Sequence, residues 1–326
     1  MKKFSLLISI LLAITLITVS TTTPVYADCR GCCSRHGGVV CIDGITNCRD
    51  GSPLSQKCIA KGCNKCGAVS PAPATVSKAQ DPALLPDNSN VKKSPTVSSG
   101  SYHCNGHVAY GIPGPEDQLL CREGYTVGYD YDRKVPTWVA YRLTPESVNK
   151  KFERSNKFKE DTEIPVQYRS TLSDYKGSGY DRGHMAASAT VDSSYNAMME
   201  SFLLSNMTPQ LPGLNRQGWR YLEQYVRDWT NKRGELYVVT GAMFAGSNSI
   251  IGNGVHVPTH FYKVIFDPVG MDAIAFLVPH RPISKGELPG FIVSVDEVER
   301  LTGLDFNSML DDIVEDDIED DVEAMW

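Results

Sequence analysis

The residues of this chain whose types and order suit chemistry lie in two stretches about twenty positions apart. The first is Tyr180-Asp181-Arg182-Gly183-His184-Met185-Ala186. The second runs from Leu204 through Asn206-Met207-Thr208-Pro209-Gln210 to Asn215, then on through Glu223 to Arg227. Between them they hold an imidazole, amide oxygens, a carboxylate and several guanidinium groups. Hydrolysis of a phosphodiester calls for such a set. Water must lose a proton near neutral pH, which suits imidazole, and the five-coordinate phosphorus gains negative charge that a divalent cation and arginine neutralise. Mg²⁺ keeps most of its water shell, so one amide oxygen such as that of Asn215 can be its only direct protein ligand. Singly, each residue has a plainer reading. A Gly beside a His fits a turn and a structural histidine. Asn215 fits a helix N-cap. Glu223 and Arg227, four apart, fit an exposed pair contributing about 0.3 to 0.5 kcal/mol. The ordered set is what favours the chemical reading.

Elements must bring those residues together. From Asn215 to about Lys232, the residues Trp219, Leu222, Val226 and Trp229 recur at spacings of three and four. This predicts a helix with one apolar stripe, and Glu223 and Arg227 flank it. The runs Trp138 to Leu143, Leu236 to Thr240, His260 to Phe266 and Ala273 to Val278 are β-branched and aromatic, bounded by Gly, Pro or Asp, as strands are. No fixed-period repeat and no regular strand-helix alternation is present. The expectation is an α+β domain over residues 102 to 310 in which strands outnumber helices.

The remaining chain is of different composition. Eight of the ten cysteines, Cys29, Cys32, Cys33, Cys41, Cys48, Cys58, Cys63 and Cys66, fall within 38 residues. Residues 28 to 67 therefore read as a small disulfide-framed module, with zinc as the rival because Cys29 and Cys32, like Cys63 and Cys66, have knuckle spacing. Cys104 and Cys121 stand apart and are expected to pair with each other. Residues 68 to 101 carry Pro71, Pro73, Pro82, Pro86 and Pro95 among Ala, Ser, Thr and Lys, a composition that suits a flexible linker. Residues 311 to 326 hold nine acids and no base, and are expected to end the chain as a frayed acidic helix or tail.

At the start, Lys2 and Lys3 precede an apolar run and a Val25-Tyr26-Ala27 site. This reads as a signal peptide over residues 1 to 27 and predicts export to the periplasm or the medium, with no stable membrane insertion after cleavage. The whole chain has a formal net charge of −6. Setting aside the leader's two lysines and the nine acids of the final segment leaves 30 basic against 29 acidic residues. A nucleic-acid binder relying on bulk charge would be clearly basic, so any polyanion site must be a local cluster.

From about Tyr102 to Asp305 the sequence resembles the DNA/RNA non-specific endonucleases, the NUC type of the ββα-metal superfamily that includes endonuclease G. The resemblance rests on Asp181 to His184, Asn206 to Gln210, and Asn215, Glu223 and Arg227 at the family's intervals. It extends to Tyr237 to Gly241 and Pro258 to Lys263. It implies a central, mainly antiparallel sheet with flanking helices, DNA and RNA as substrates, and Mg²⁺, Mn²⁺ or another divalent cation as cofactor. It further implies His184 as general base and Asn215 as metal ligand, with Glu223 ordering the waters around the metal and Arg182 and Arg227 on phosphate. Arg154, in a loosely matching loop, is similar to the family arginine that stabilises the transition state. Asn206 is implied to organise the site and Asp181 to fix the loop around His184.

Other catalytic classes lack their signatures: there is no Gly-x-Ser-x-Gly elbow, no His-Glu-x-x-His pair, no Walker loop and no dinucleotide fingerprint. His103, His107, His256, His260 and His280 are scattered and receive no role. Two rivals remain at this level, a non-catalytic surface protein that captures polyanions and a phosphodiesterase acting on small nucleotides.

Overall fold

The structure, a computed structural model, describes residues 39–42, 45–48, 104–149, 152–246, 249–322 and 324–326. The first two segments form a hairpin, β1 (Val39–Ile42) against β2 (Ile45–Cys48). The leader, the rest of the Cys-rich segment and the linker read from sequence lie outside the described residues.

Seven strands build one antiparallel sheet. They are β3 (Gln118–Cys121), β4 (Thr126–Asp130), β5 (Val135–Leu143), β8 (Leu236–Met243), β11 (His260–Asp267), β12 (Asp272–Pro279) and β13 (Ile292–Val293), in the spatial order β13-β12-β11-β8-β5-β4-β3. The four strands expected from sequence are β5, β8, β11 and β12, each one to three residues longer than its apolar run. Alternation along them sends side chains to opposite faces. In β5, Val139, Tyr141 and Leu143 pack on one face and Trp138 and Ala140 on the other. The first face is covered by α4 (Arg220–Arg233), whose buried Leu222, Val226 and Trp229 continue the stripe begun by Trp219. The second face is covered by α5 (Val295–Thr302) and α6 (Asp312–Glu319), which contribute Val295, Val298 and Ile318. Short helices α1 (Pro145–Asn149), α2 (Leu172–Tyr175) and α3 (Tyr195–Glu200), and the two-residue strands β9 (Ile250–Ile251) and β10 (Val255–His256), fill the connections.

Two features depart from expectation. The acidic segment after residue 310 is not frayed. Ile318 is buried, and the Trp229 indole N–H donates to the Trp326 carbonyl at 2.8 Å while the Arg233 guanidinium lies 3.9 Å from the centre of the Trp326 ring. A few apolar contacts hold a segment whose composition alone suggests repulsion. The helix that carries Glu223 begins with a wide π-type turn, Leu214–Trp219, before the regular α4. Within it, the Gly218 N–H donates at 2.8 Å to the Ile283 carbonyl outside the helix. A Cβ at Gly218 would lie 2.8 Å from the Ile283 side chain, so glycine permits that approach. Cys104 and Cys121 form a disulfide, with Cα atoms 5.0 Å apart. It ties the start of the domain to β3. Among the described residues, no helix is long and apolar enough to cross a membrane.

Candidate active site

A separate two-stranded ribbon carries the first chemical stretch. β6 (Asp181–His184) pairs antiparallel with β7 (Met207–Gln210), placing Asp181 opposite Gln210 and His184 opposite Met207. The strands approach closely at Gly183, where a Cβ would stand 2.6 Å from the Gln210 side chain. Ribbon and following helix give the ββα arrangement. Asn206, fully buried, clamps the chain just past His184. Its Oδ1 accepts from the Ala186 N–H at 2.8 Å, and its Nδ2 donates to the Ala186 carbonyl at 2.9 Å and the Ser201 carbonyl at 3.0 Å.

Asp181 ties ribbon to helix. Its carboxylate accepts from Asn215 Nδ2 at 2.9 Å and from the Arg216 guanidinium at 2.8 and 2.6 Å. Burial pushes this carboxyl up, but the hydrogen bonds from Arg216 and Asn215 and the charges of Arg216 and Arg182 leave it below its usual value. Asn215 is therefore not a helix N-cap. It lies inside the wide first turn, where Gly213 holds the cap position, and its amide is turned by Asp181 so that Nδ2 is occupied. Among the described residues, nothing donates to Asn215 Oδ1 and nothing pairs directly with the Glu223 carboxylate. The surface-pair reading of Glu223 with Arg227 also fails. The Arg227 guanidinium instead donates to Thr190 Oγ1 at 3.0 Å and to Gln224 Oε1 at 2.6 Å.

Arg154, Arg182, His184, Asn215, Glu223 and Arg227 all line one cleft of about 1010 Å³, while Asn206 lies behind it. The His184 ring packs edge-on against Phe202 with ring centres 5.3 Å apart and tilted against Phe158 at 5.5 Å. Its Nε2 is buried and, among the described residues, has no hydrogen-bond partner. Desolvation first, then the charges of Arg154 and Arg182, hold the imidazole down to about 3, so it is neutral at neutral pH. Those two arginines are themselves stacked on the same aromatic pair, Arg182 4.2 Å from the Phe158 ring centre and Arg154 5.1 Å from that of Phe202. Burial raises the Glu223 carboxyl, against the opposing charges of Lys263, Arg227, Arg154 and Arg220. The free oxygens facing this cleft are hard donors, the kind that suits a hydrated divalent cation.

Sequence reasoning missed several participants. The cleft lining includes Lys176, Arg216 and Arg220, so six cations face two acids, Asp181 and Glu223. This is the local cluster that a near-neutral body requires. His280, given no role from sequence, accepts from the Leu211 N–H through Nε2 at 2.8 Å and donates through Nδ1 to the Pro258 carbonyl at 2.8 Å. It fixes the approach to Asn215 from the end of β12. Lys263, buried in β11, faces Trp219. In sequence Arg216, His280 and Lys263 look like ordinary surface or strand residues, because the partners that define them are more than twenty residues away.

The sequence pattern of the DNA/RNA non-specific endonuclease family matches residues 104–313. Nuclease C1 of Cunninghamella echinulata var. echinulata is 40% identical over 222 residues, covering 63% of this chain and 88% of that protein. The mitochondrial nuclease of Saccharomyces cerevisiae is 36% identical over 259 residues, covering 72% of this chain and 78% of its own length. Among solved structures, a chain of the EndoG/EndoGI inhibition complex superposes with a TM-score of 0.60 at 36% identity, covering 66% of this chain and 95% of that one. These relatives correct the exported location read from the leader: those from Saccharomyces cerevisiae, Schizosaccharomyces pombe and Homo sapiens are named as mitochondrial nucleases. With the ribbon, the helix and the cation-lined cleft in place, the family match makes the chain a member of the DNA/RNA non-specific endonuclease family, a divalent-metal-dependent class of nucleic-acid hydrolases.

Proposed function

We propose that the protein is an Mg²⁺-dependent endonuclease that cuts DNA and RNA with little sequence preference, His184 acting as general base and Asn215 holding the metal. The observation that carries this reading is a buried imidazole at the floor of a cleft where cations outnumber acids six to two and where, among the described residues, an amide oxygen and a carboxylate have no protein partner. A neutral imidazole accepts the proton that water gives up as its oxygen attacks phosphorus. With Nε2 enclosed, Nδ1 is the atom for that task. Burial and two nearby guanidinium groups weaken it as a base. A substrate phosphate that occupies Arg154 and Arg182 removes the second of these effects, so the base strengthens when substrate is bound.

Asn215 Oδ1 would hold Mg²⁺, with the Glu223 carboxylate ordering water around it; the ion supplies charge neutralisation at the phosphoryl oxygens and the leaving group. Arg182 and Arg227 bind phosphate, and Arg154 meets the charge that develops on phosphorus in the transition state. Asn206 and Asp181 keep the base and the amide in register. The cleft's volume of about 1010 Å³ and the further cations Arg216, Arg220 and Lys176 in its lining suit a polymer more than a mononucleotide.

The test is digestion of plasmid, single-stranded DNA, RNA and a dinucleotide in parallel, with Mg²⁺ and with chelator. Internal cuts in all three polymers, lost with chelator, are expected. Binding without cleavage would favour a polyanion-capturing protein, and cleavage of the dinucleotide alone would favour a small-nucleotide phosphodiesterase.

A further inference from the structure

Lys263 is a lysine where the pattern of its strand calls for an apolar residue. It lies at the centre of β11 between Tyr262 and Val264, on the same face as Phe261 and Ile265, and it is fully buried beneath the helix. Removing an ammonium from water costs several kcal/mol unless hydrogen bonds and an opposite charge offset it. The hydrogen bonds are present: Nζ donates to Tyr141 Oη at 3.0 Å and to Thr240 Oγ1. Both partners are hydroxyl groups, and they touch each other at 3.3 Å. Nζ also lies 4.9 Å from the centre of the Trp219 ring. Among the described residues, no carboxylate reaches ion-pair distance of it.

Trp219 stands one turn before Glu223 on the same helix, so Nζ, 4.9 Å from the Trp219 ring centre, lies beneath the turn that carries Glu223. Four cations act on Glu223, and Lys263 acts most strongly, ahead of Arg227, Arg154 and Arg220. The three arginines line the cleft and Lys263 does not. That difference matters once substrate arrives. Phosphate groups that engage the arginines withdraw them as counter-charges for Glu223, whereas a cation walled off by Trp219, Tyr141 and Thr240 cannot be competed away.

We infer that Lys263 is a positioning residue of the active site, a buried counter-charge that keeps Glu223 in place and charged while substrate occupies the arginines. The inference rests on the reading of Glu223 as part of the catalytic group.

The experiment is a double-mutant cycle in the full-length chain, comparing Lys263→Met, Glu223→Gln and the double variant by turnover on DNA, Mg²⁺ titration and thermal unfolding. Lys263→Met should lose about 10-fold or more in turnover and need more Mg²⁺ for half-maximal rate, with its melting temperature unchanged or raised, since an apolar side chain of similar volume replaces a buried charge. In the Glu223→Gln background the same substitution should change turnover by less than about 2-fold. Lys263→Gln, which retains donors for Tyr141 and Thr240 but no charge, should behave as Lys263→Met does and guards against a misfolded methionine variant. Wild-type turnover in either lysine variant, or fully additive losses in the double variant, would overturn the inference alone. Full turnover in Glu223→Gln by itself would overturn it together with the assignment of Glu223.

Discussion

At His184, a ring that titrates near neutrality in water is kept neutral by burial against Phe158 and Phe202 and by two guanidinium groups stacked on those same rings. In the proposed mechanism the aromatic pair thus serves twice, excluding water from the proposed base and holding the two cations proposed to meet phosphate. Asn215 shows how one hydrogen bond divides an amide's two ends. Asp181 occupies Nδ2, leaving Oδ1 for a cation. Asn215→Ala should therefore shift the Mg²⁺ requirement upward by about 10-fold or more and lower turnover, while costing about 1.5 to 3 kcal/mol of stability for one charge-assisted hydrogen bond. A Mg²⁺ titration alongside a melting curve checks this, and an unaltered titration would remove Asn215 from the metal site. The residue types and their order were legible in sequence because phosphodiester chemistry needs few groups. The role of Asp181 as the link to Asn215 and Arg216 was not, since an acid 34 residues from its amide partner carries no local sign of it.

Among the elements, α4 was readable because Trp219, Leu222, Val226 and Trp229 repeat with helical period and all four are buried. The ribbon was not. β6 and β7 are four residues each, rich in polar side chains, and they pair across a gap of more than twenty residues, so no alternation announces them. The π-type turn that presents Asn215 was equally hidden, because it depends on a hydrogen bond from Gly218 to a distant loop. The acidic helix α6 was misjudged for the opposite reason: its charges are obvious and its few anchors are not. Glu315 and Glu319 are both buried there. Burial first, then the charges of Glu299 and Glu315, push the Glu319 carboxyl up to about 11, against the hydrogen bond from Asn307. Between the ordinary value of 4.5 and about 11, the folded chain keeps a proton that the unfolded chain has released, so this group's stabilisation is lost as pH rises through that window. Glu319→Gln keeps an acceptor for Asn307 and removes the titration. Its stability, measured by denaturant unfolding at about pH 5 and pH 9, should exceed the parent's more at the higher pH. A constant difference between the two curves would contradict this.

For the whole molecule, charge is arranged rather than accumulated. A body with nearly equal numbers of acids and bases gathers six cations in one cleft, while the nine further acids of residues 311 to 326 include those of α6, packed on the opposite face of the sheet. The disulfide between Cys104 and Cys121 lies within the same domain. Every residue proposed for chemistry follows residue 150, and the composition of residues 68 to 101 is that expected of a flexible linker. We propose that a chain starting near Gly100 folds and cuts a short oligonucleotide at a rate within about 3-fold of the longer chain, differing more on long DNA, where tethering raises effective concentration. Comparing both chains on both substrates at equal metal concentration checks this. A well-folded but inert truncated chain would mean that the Cys-rich segment completes the site.

The central claim is that a neutral His184 removes the proton from water in a metal-dependent phosphodiester cleavage. It is tested most directly by turnover of His184→Ala on DNA at saturating Mg²⁺, with substrate binding and thermal unfolding measured on the same preparation. A loss of at least about 100-fold in turnover is expected, with binding and melting temperature close to the parent's. Turnover within a few-fold of the parent, in a folded protein that still requires Mg²⁺, would contradict it.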